Sequence, residues 1–211
     1  MSVILDKIEV SYIKTHHNSD VWTKHIELEQ KKKLNIFAPS GTGKTSLFNV
    51  IAAIIKPSKG HLFIESKDIH SLKKDELVKL RKETISLIFQ DLKLIPGLNV
   101  SENISILCPS LDTQEKNRLY DMMERLNILN IKDKYVSGLS EGEKQRTAII
   151  RSLFRPFKYL IMDEPFSHLD DNNKKAALKL IEEEVTSNEA GLIMLSLHKT
   201  EGIDWDMQIS L

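Results

Sequence analysis

"KLNIFAPSGTGKTSLFNVIAAII", residues 33–55, holds three kinds of sequence in succession. A short apolar run, 33–37, stops at a turn rich in Pro, Gly, Ser and Thr; Leu47, Phe48, Ile51, Ile54 and Ile55 then recur at helical spacing. Strand, loop and helix is the order in which a glycine-rich loop cradles phosphate. Its N–H groups and the helix dipole attract an anion, while a Lys and a hydroxyl reach the phosphates and Mg²⁺. The pattern G-x-x-x-x-G-K-[ST] is met in "APSGTGKT" (38–45) at every fixed position but the first, where Ala38 stands. Gly41 and Gly43 retain the freedom to take positive φ where the loop would wrap the phosphates, and Lys44 and Thr45 open the helix. An ordinary capped turn does not require Gly-Lys-Thr after an apolar strand, so a nucleotide phosphate site is expected.

Outward from this stretch, "HLFIE" (61–65) alternates like a strand and "SLKKDELVKLRKE" (71–83) reads as a surface helix. "TISLIFQ" (84–90) is the next strand, ending at Gln90. From 91 to 155 no strand is expected. Leu119, Met122, Met123, Leu126 and Leu129 share one helical face there, and Asp112 with Glu115 forms a capping-box pattern. "YLIM" (159–162) is a buried type of strand running into Asp163-Glu164-Pro165; a helix over 170–185 and a strand "GLIMLSL" (191–197), followed by His198, come after it. Strands alternating with helices, with polar residues at strand carboxyl ends, predict an α/β fold whose mostly parallel sheet carries its site along that edge. Residues 1–90 and 156–211 form the expected core, and 91–155 an inserted helical subdomain.

Composition narrows the function. Thirty Lys plus Arg balance 30 Asp plus Glu, so no basic field points to nucleic acid as a partner. Cys108 is the one cysteine; it cannot form an internal disulfide, which fits a reducing compartment. The amino terminus "MSVILDKIEV" lacks the basic stretch and long apolar run of a secretory signal. No segment approaches the roughly 20 apolar residues that span a bilayer. The chain is therefore expected in the cytoplasm, with any membrane role exerted through a partner.

Asp163 is the type of residue that supports Mg²⁺ at a phosphate loop, directly or through water, and Glu164 beside it is placed to polarise an attacking water. Gln90 and His198 fall at the same expected sheet edge. In "LSEGEKQR" (139–146), Ser140 and Glu143 again make a capping-box pattern. A plain helix start explains it, and a helix start is also an anion site.

In order along the chain these residues resemble the nucleotide-binding domain of ATP-binding cassette (ABC) proteins, over nearly the whole length. Tyr12 in "VSY" matches the A-loop aromatic, "APSGTGKT" Walker A, Gln90 in "IFQD" the Q-loop and "LSEGE" the signature. "YLIMDEP" matches Walker B, Asp170 in "SHLD" the D-loop and His198 the switch. The resemblance implies one ABC ATPase domain over 1–211: a P-loop NTPase with a mostly parallel sheet, an antiparallel β element near the amino terminus and the helical insertion.

It also implies roles. Two copies would pair head to tail, a homodimer being consistent with the complete motif set. ATP would lie between the Walker motifs of one copy and Ser140, Gly142 and Glu143 of the other, with Asp170 at the D-loop. Tyr12 would stack on adenine. Ser40, Gly41, Thr42, Gly43, Lys44, Thr45 and Ser46 would bind the phosphates. Thr45, Gln90 and Asp163 would manage Mg²⁺, Glu164 would be the catalytic base and His198 would sense the γ-phosphate. The driven partner would be an integral membrane permease-type subunit, holding this chain at the inner face of the cell membrane.

"LRKETISLIFQDLKLIPGLNVSENI" and Glu143 followed by "KQR" resemble the branch of lipoprotein-release, macrolide-export and cell-division ATPases. Ala38, Ala53, Ser66 and Glu141 stand where the family carries Gly. Ala53 and Ser66 lie away from the chemistry and are expected to be neutral. Glu141 would place a negative charge near the partner's phosphates, and with Ala38 it makes a regulatory or structural module with weak hydrolysis the alternative expectation.

Overall fold

The computed structural model describes residues 2–11, 13, 19–106, 108 and 110–211; the A-loop assignment at Tyr12 lies outside the described residues. In chain order the strands and α-helices are β1 (Ser2–Glu9), β2 (His25–Glu29), β3 (Lys33–Phe37), α1 (Lys44–Ile51), β4 (Lys59–Ile64), β5 (Lys67–Asp68), α2 (Lys74–Thr84) and β6 (Ile85–Ile88). There follow α3 (Val100–Ser105), α4 (Thr113–Arg125), α5 (Glu141–Leu153), β7 (Tyr159–Asp163), α6 (Asp171–Ser187), β8 (Gly191–Ser196) and β9 (Met207–Ser210). They fall into two compact units, one of Met1–Leu87, Phe157–Glu164 and Val185–Leu211, the other of Ile88–Pro156 and Pro165–Glu184. Residues 88–90, 156 and 165–184, which the sequence pattern places with the core, thus group with the second unit.

The first unit holds two sheets. One is antiparallel, in the order β2-β1-β4-β5. Its register sets Val3 opposite Leu28 and Ile64, and Leu5 opposite Ile26 and Leu62, so alternation places six apolar side chains on one buried face. The other sheet has the order β6-β7-β8-β3-β9, and β7–β8, β8–β3 and β3–β9 are all parallel. β7 and β8 are buried at every residue, which is why they read as unbroken apolar runs rather than alternating ones. The strands β1, β2 and β9 were not expected from residue pattern.

Helix α1 is shorter than its periodicity suggests. It stops at Ile51, and Ala53 takes the left-handed φ of 54° two residues on. That is the helix-terminating conformation glycine favours, and it turns Ile54 out to 40% exposure although the residue continues the apolar spacing.

In the second unit α3 and α4 pack on α5, burying Val100, Ile104, Leu119, Met122, Met123, Ile149 and Leu153. Asn99, Asp112 and Ser140 each close a capping box with the Glu three residues on; such caps contribute about 1 kcal/mol apiece. The boxes expected at Asp112 and Ser140 both form. Among the described residues no helix is long and apolar enough to cross a membrane.

Candidate functional site

The first unit gathers Lys44, Asp163, Glu164 and His198; the second carries Gln90, Ser140, Gly142, Glu143 and Asp170.

At the carboxyl end of β3 the chain turns through 38–43 into α1. Gly41 (φ 82°) and Gly43 (φ 100°) both take left-handed backbone, and a Cβ at Gly43 would stand 2.6 Å from Ile13 Cδ1. Gly43 caps α1 without a side-chain hydrogen bond, and no acid occupies the first turn. Helices α3 to α5 each have a capping box and an acid there, and ahead of α2 the Lys73 N–H donates to Glu76, with Asp75 and Glu76 in its first turn. Among the described helices the α1 amino terminus thus has neither a side-chain cap nor an acid in its first turn, which leaves its N–H groups and positive dipole end open to an anion. Ser40 and Thr45 are exposed, and Thr42 and Ser46 half-exposed, around it.

Lys44 is only 6% exposed. Its Nζ donates to the carbonyls of Ala38 (2.9 Å) and Pro39 (3.0 Å) and stands 3.3 Å from Glu164 Oε1. Ala38 does not take left-handed backbone; its N–H donates to the Ser196 carbonyl at 3.0 Å, continuing the strand by one residue. The missing glycine thus stands where none is required.

Asp163 ends β7 and is 1% exposed. Glu164 follows with a left-handed φ of 47°, and its N–H donates to the Leu195 carbonyl at 2.9 Å. A non-glycine residue held in this conformation stores strain that its surroundings must fix. Among the described residues no group of three His, Cys, Asp or Glu is placed to hold a metal by itself. Thr45 and Asp163 do supply the hard oxygens that Mg²⁺ takes together with phosphate oxygens and water. His198 is exposed just beyond β8. Its carbonyl lies 2.6 Å from Ser196 Oγ, which is also 2.9 Å from Asn35 Oδ1 in β3. Asn35 and Ser196 were not singled out in the sequence, where they look like ordinary strand residues.

In the second unit Ser140 caps α5. Its N–H and Oγ each lie 2.8 Å from Glu143 Oε2, and the hydrogen bonds from Ser140 hold the Glu143 carboxyl below its ordinary pKa. Glu141 turns to Lys144 Nζ at 2.8 Å, and this contact lowers its pKa. Gly142 lies close to the chain at His168, whose carbonyl would stand 3.1 Å from an added Cβ. Asp170 precedes α6 and accepts from the Asn173 N–H (2.9 Å) and Nδ2 (2.7 Å). Gln145, 1% exposed, accepts from the His168 N–H at 2.8 Å and so ties α5 to the segment ahead of Asp170. It is a further residue whose role no local pattern announces. Gln90 is exposed and lines a groove of about 240 Å³ with Leu92, Pro96, Ser137, Glu141 and His168.

A family model described as ABC transporter matches residues 23–167. The lipoprotein-releasing system ATP-binding protein LolD of Buchnera aphidicola subsp. Schizaphis graminum is 37% identical over 69% of this chain, a match spanning 65% of that relative. The cell division ATP-binding protein FtsE of Bacillus subtilis is 31% identical, over 79% of this chain and 73% of its own. The solved ATP-binding cassette MJ0796, a dimeric post-hydrolysis state bound to ADP and Pi, matches with a TM-score of 0.80. That match covers 93% of this chain and 88% of that one at 23% identity, a likeness of fold.

Proposed function

The chain belongs to the ABC transporter family, and on that premise we propose that it is the ATP-binding and ATP-hydrolysing subunit of a complex whose other part is an integral membrane protein. The observation that carries this reading is the buried cluster at the α1 amino terminus, where Lys44 faces Glu164 at 3.3 Å beside a helix end left for an anion.

Lys44 leaves the Ala38 and Pro39 carbonyls for the β- and γ-phosphates, and the N–H groups of 41–45 take the remaining phosphate oxygens. Glu164, released from Lys44, accepts a proton from the attacking water. Thr45 and Asp163, with Gln90, would hold Mg²⁺, which would supply positive charge to offset that developing on the transferred phosphoryl group. His198 contacts the γ-phosphate. Ser140, Gly142 and Glu143 of a second copy close over the nucleotide, with Asp170 at the same interface. The two units work as one cassette domain over 1–211, cytoplasmic and held to the inner face of the membrane through the partner. The 37% identity to LolD supports a lipoprotein-release-like role, with mechanical work on the membrane partner as its counterpart.

The test is Glu164→Gln. Turnover is expected to fall by about 100-fold or more, with ATP still bound and an ATP-loaded dimer accumulating on size exclusion. Turnover near that of the unmodified protein sinks the assignment of Glu164. The weakly hydrolysing alternative rested on Ala38 and Glu141, and neither geometry supports it: Ala38 continues a strand and Glu141 is paired with Lys144.

A further inference from the structure

Gln90 sits at the head of two successive turns. The Leu92 N–H donates to the Phe89 carbonyl (2.9 Å), closing a turn around Gln90 and Asp91, and the Lys93 N–H donates to the Asp91 carbonyl (2.6 Å), closing a three-residue turn around Leu92. Leu92 (φ 58°) and Lys93 (φ 47°) are both left-handed, a conformation that L-residues disfavour. A three-residue turn of this hand is rare and strained. Two such residues in a row persist only where something outside the turn holds them.

What holds them is Arg151, in the last turn of α5. Its Nη1 donates to the Lys93 carbonyl at 2.7 Å and its Nη2 to the Leu92 carbonyl at 2.5 Å. A guanidinium presents two donors in one rigid plane, so it fixes the directions of two neighbouring carbonyls together, which an ammonium cannot do. The helix that bears Arg151 starts at Ser140, about 16 Å away along its axis at 1.5 Å per residue. One rigid element therefore carries the signature at one end and grips the loop of Gln90 at the other.

We propose that Arg151 is the positioning residue for Gln90: it keeps the strained turns at 89–93 closed, so that the Gln90 side chain is presented in one orientation and follows any displacement of α5. The proposal rests on the reading above in which Gln90 acts at the nucleotide. It does not make Arg151 a group that touches substrate.

The experiment compares the full chain with Arg151→Met and Arg151→Lys, and combines Arg151→Lys with Lys93→Gly. Lys93 is a surface residue, and glycine there removes the left-handed penalty without opening the core. Hydrogen exchange, thermal unfolding, and kcat and KM for MgATP are measured on each. In Arg151→Met the Leu92 and Lys93 amides are expected to exchange about tenfold faster while interior α5 amides do not change. For Arg151→Lys, kcat should drop by about fivefold with KM constant to about twofold, and adding Lys93→Gly should recover about half of the loss. If Arg151 served overall stability alone, kcat measured well below Tm would not change; a fall in kcat at unchanged Tm, recovered by Lys93→Gly, marks the positioning role. Unchanged amides at 92 and 93, equal acceleration throughout α5, or absence of rescue overturns the proposal. A wild-type protein with no ATP turnover overturns the ATPase reading instead, and the amide exchange still decides whether Arg151 holds the turn.

Discussion

Ala38 and Ala53 both stand where the resemblance places glycine, and their backbones lead to opposite expectations. Ala53 is left-handed (φ 54°) and 1% exposed at the end of α1, so Ala53→Gly should stabilise the fold by about 1 kcal/mol, raising Tm by about 2–4 °C for a chain of this size. Ser66 behaves similarly: with Glu65 (φ 52°) it forms the two-residue connection between β4 and β5 at φ 62°, a hairpin turn that favours glycine. Glycine at either position should therefore raise stability, in contrast to the neutrality expected from their distance to the chemistry. Ala38 continues β3, so Ala38→Gly should cost about 0.5–1 kcal/mol and leave ATP affinity within about threefold. Calorimetry and nucleotide titration check the pair. Glu141 poses a similar contrast. Its side chain is 57% exposed and paired with Lys144, so Glu141→Gly should change turnover by less than about threefold. Lys144→Ala, which leaves the acid uncompensated in the first turn of α5, should weaken ATP-driven turnover more, and added salt should reverse the loss. Steady-state kinetics at two ionic strengths distinguish the two variants.

At the scale of elements, the end of β9 is tied to one ionised group, the Asp20 carboxylate. Ser210 donates through Oγ (2.7 Å) and N–H (3.1 Å) to Asp20 Oδ2 and accepts from the Asp20 N–H at 3.0 Å. The hydrogen bonds from Ser210 lower the Asp20 pKa. A carboxylate with a depressed folded pKa stabilises fully above its unfolded value, about 3.9, and the contribution disappears as pH falls through the folded pKa. Protection of the β9 amides should therefore fall below about pH 4 in the unmodified chain, and Asp20→Asn should flatten that step at a lower plateau. Amide exchange corrected for intrinsic rates measures it. The same strand shows where reading the sequence stops. β7 and β8 are visible because burial on both faces leaves continuous apolar runs. "MQIS" in β9 is four residues long and half exposed, and its place is set by pairing with β3. In β1 a register irregularity between Asp6 and Glu9 breaks the alternation that would have announced it. The end of α1 was hidden because Ile54 and Ile55 continue the helical spacing past a left-handed Ala53. The motif residues were legible because their types and spacing are local. Gln145, Asn35 and Arg151 were not, because their partners lie far away in sequence: the His168 N–H and Ser167 hydroxyl for Gln145, the Ser196 hydroxyl for Asn35, and the Leu92 and Lys93 carbonyls for Arg151.

For the whole molecule, balanced charge and a sequence pI near 7.1 mean that two copies approach without net charge repulsion or attraction at neutral pH. Association must then come from contacts at the interface and from the nucleotide. In the proposed head-to-tail pair each site takes Lys44 from one copy and Ser140 with Gly142 from the other, so a lesion in either half disables the site it borders. Lys44→Ala removes the phosphate contact. Gly142→Asp adds a charge to the first turn of α5 and requires the His168 carbonyl, 3.1 Å from a Cβ there, to shift slightly. Each variant alone should be inactive, because every site in its homodimer carries the lesion. Mixed, they form heterodimers in which one site unites the intact Lys44 of the Gly142→Asp copy with the intact signature of the Lys44→Ala copy. Random pairing makes half the dimers mixed, with one of two sites intact, so mixing should restore up to about a quarter of wild-type turnover if the sites act independently. Circular dichroism confirms that both variants fold, and turnover is measured across mixing ratios. A maximum near equal proportions supports shared sites, whereas a flat line at zero for two folded, ATP-binding proteins shows that the sites are coupled or that each copy works alone. Titrating either variant into the unmodified protein separates those cases: coupled sites give a steeper than linear loss, independent copies a linear dilution.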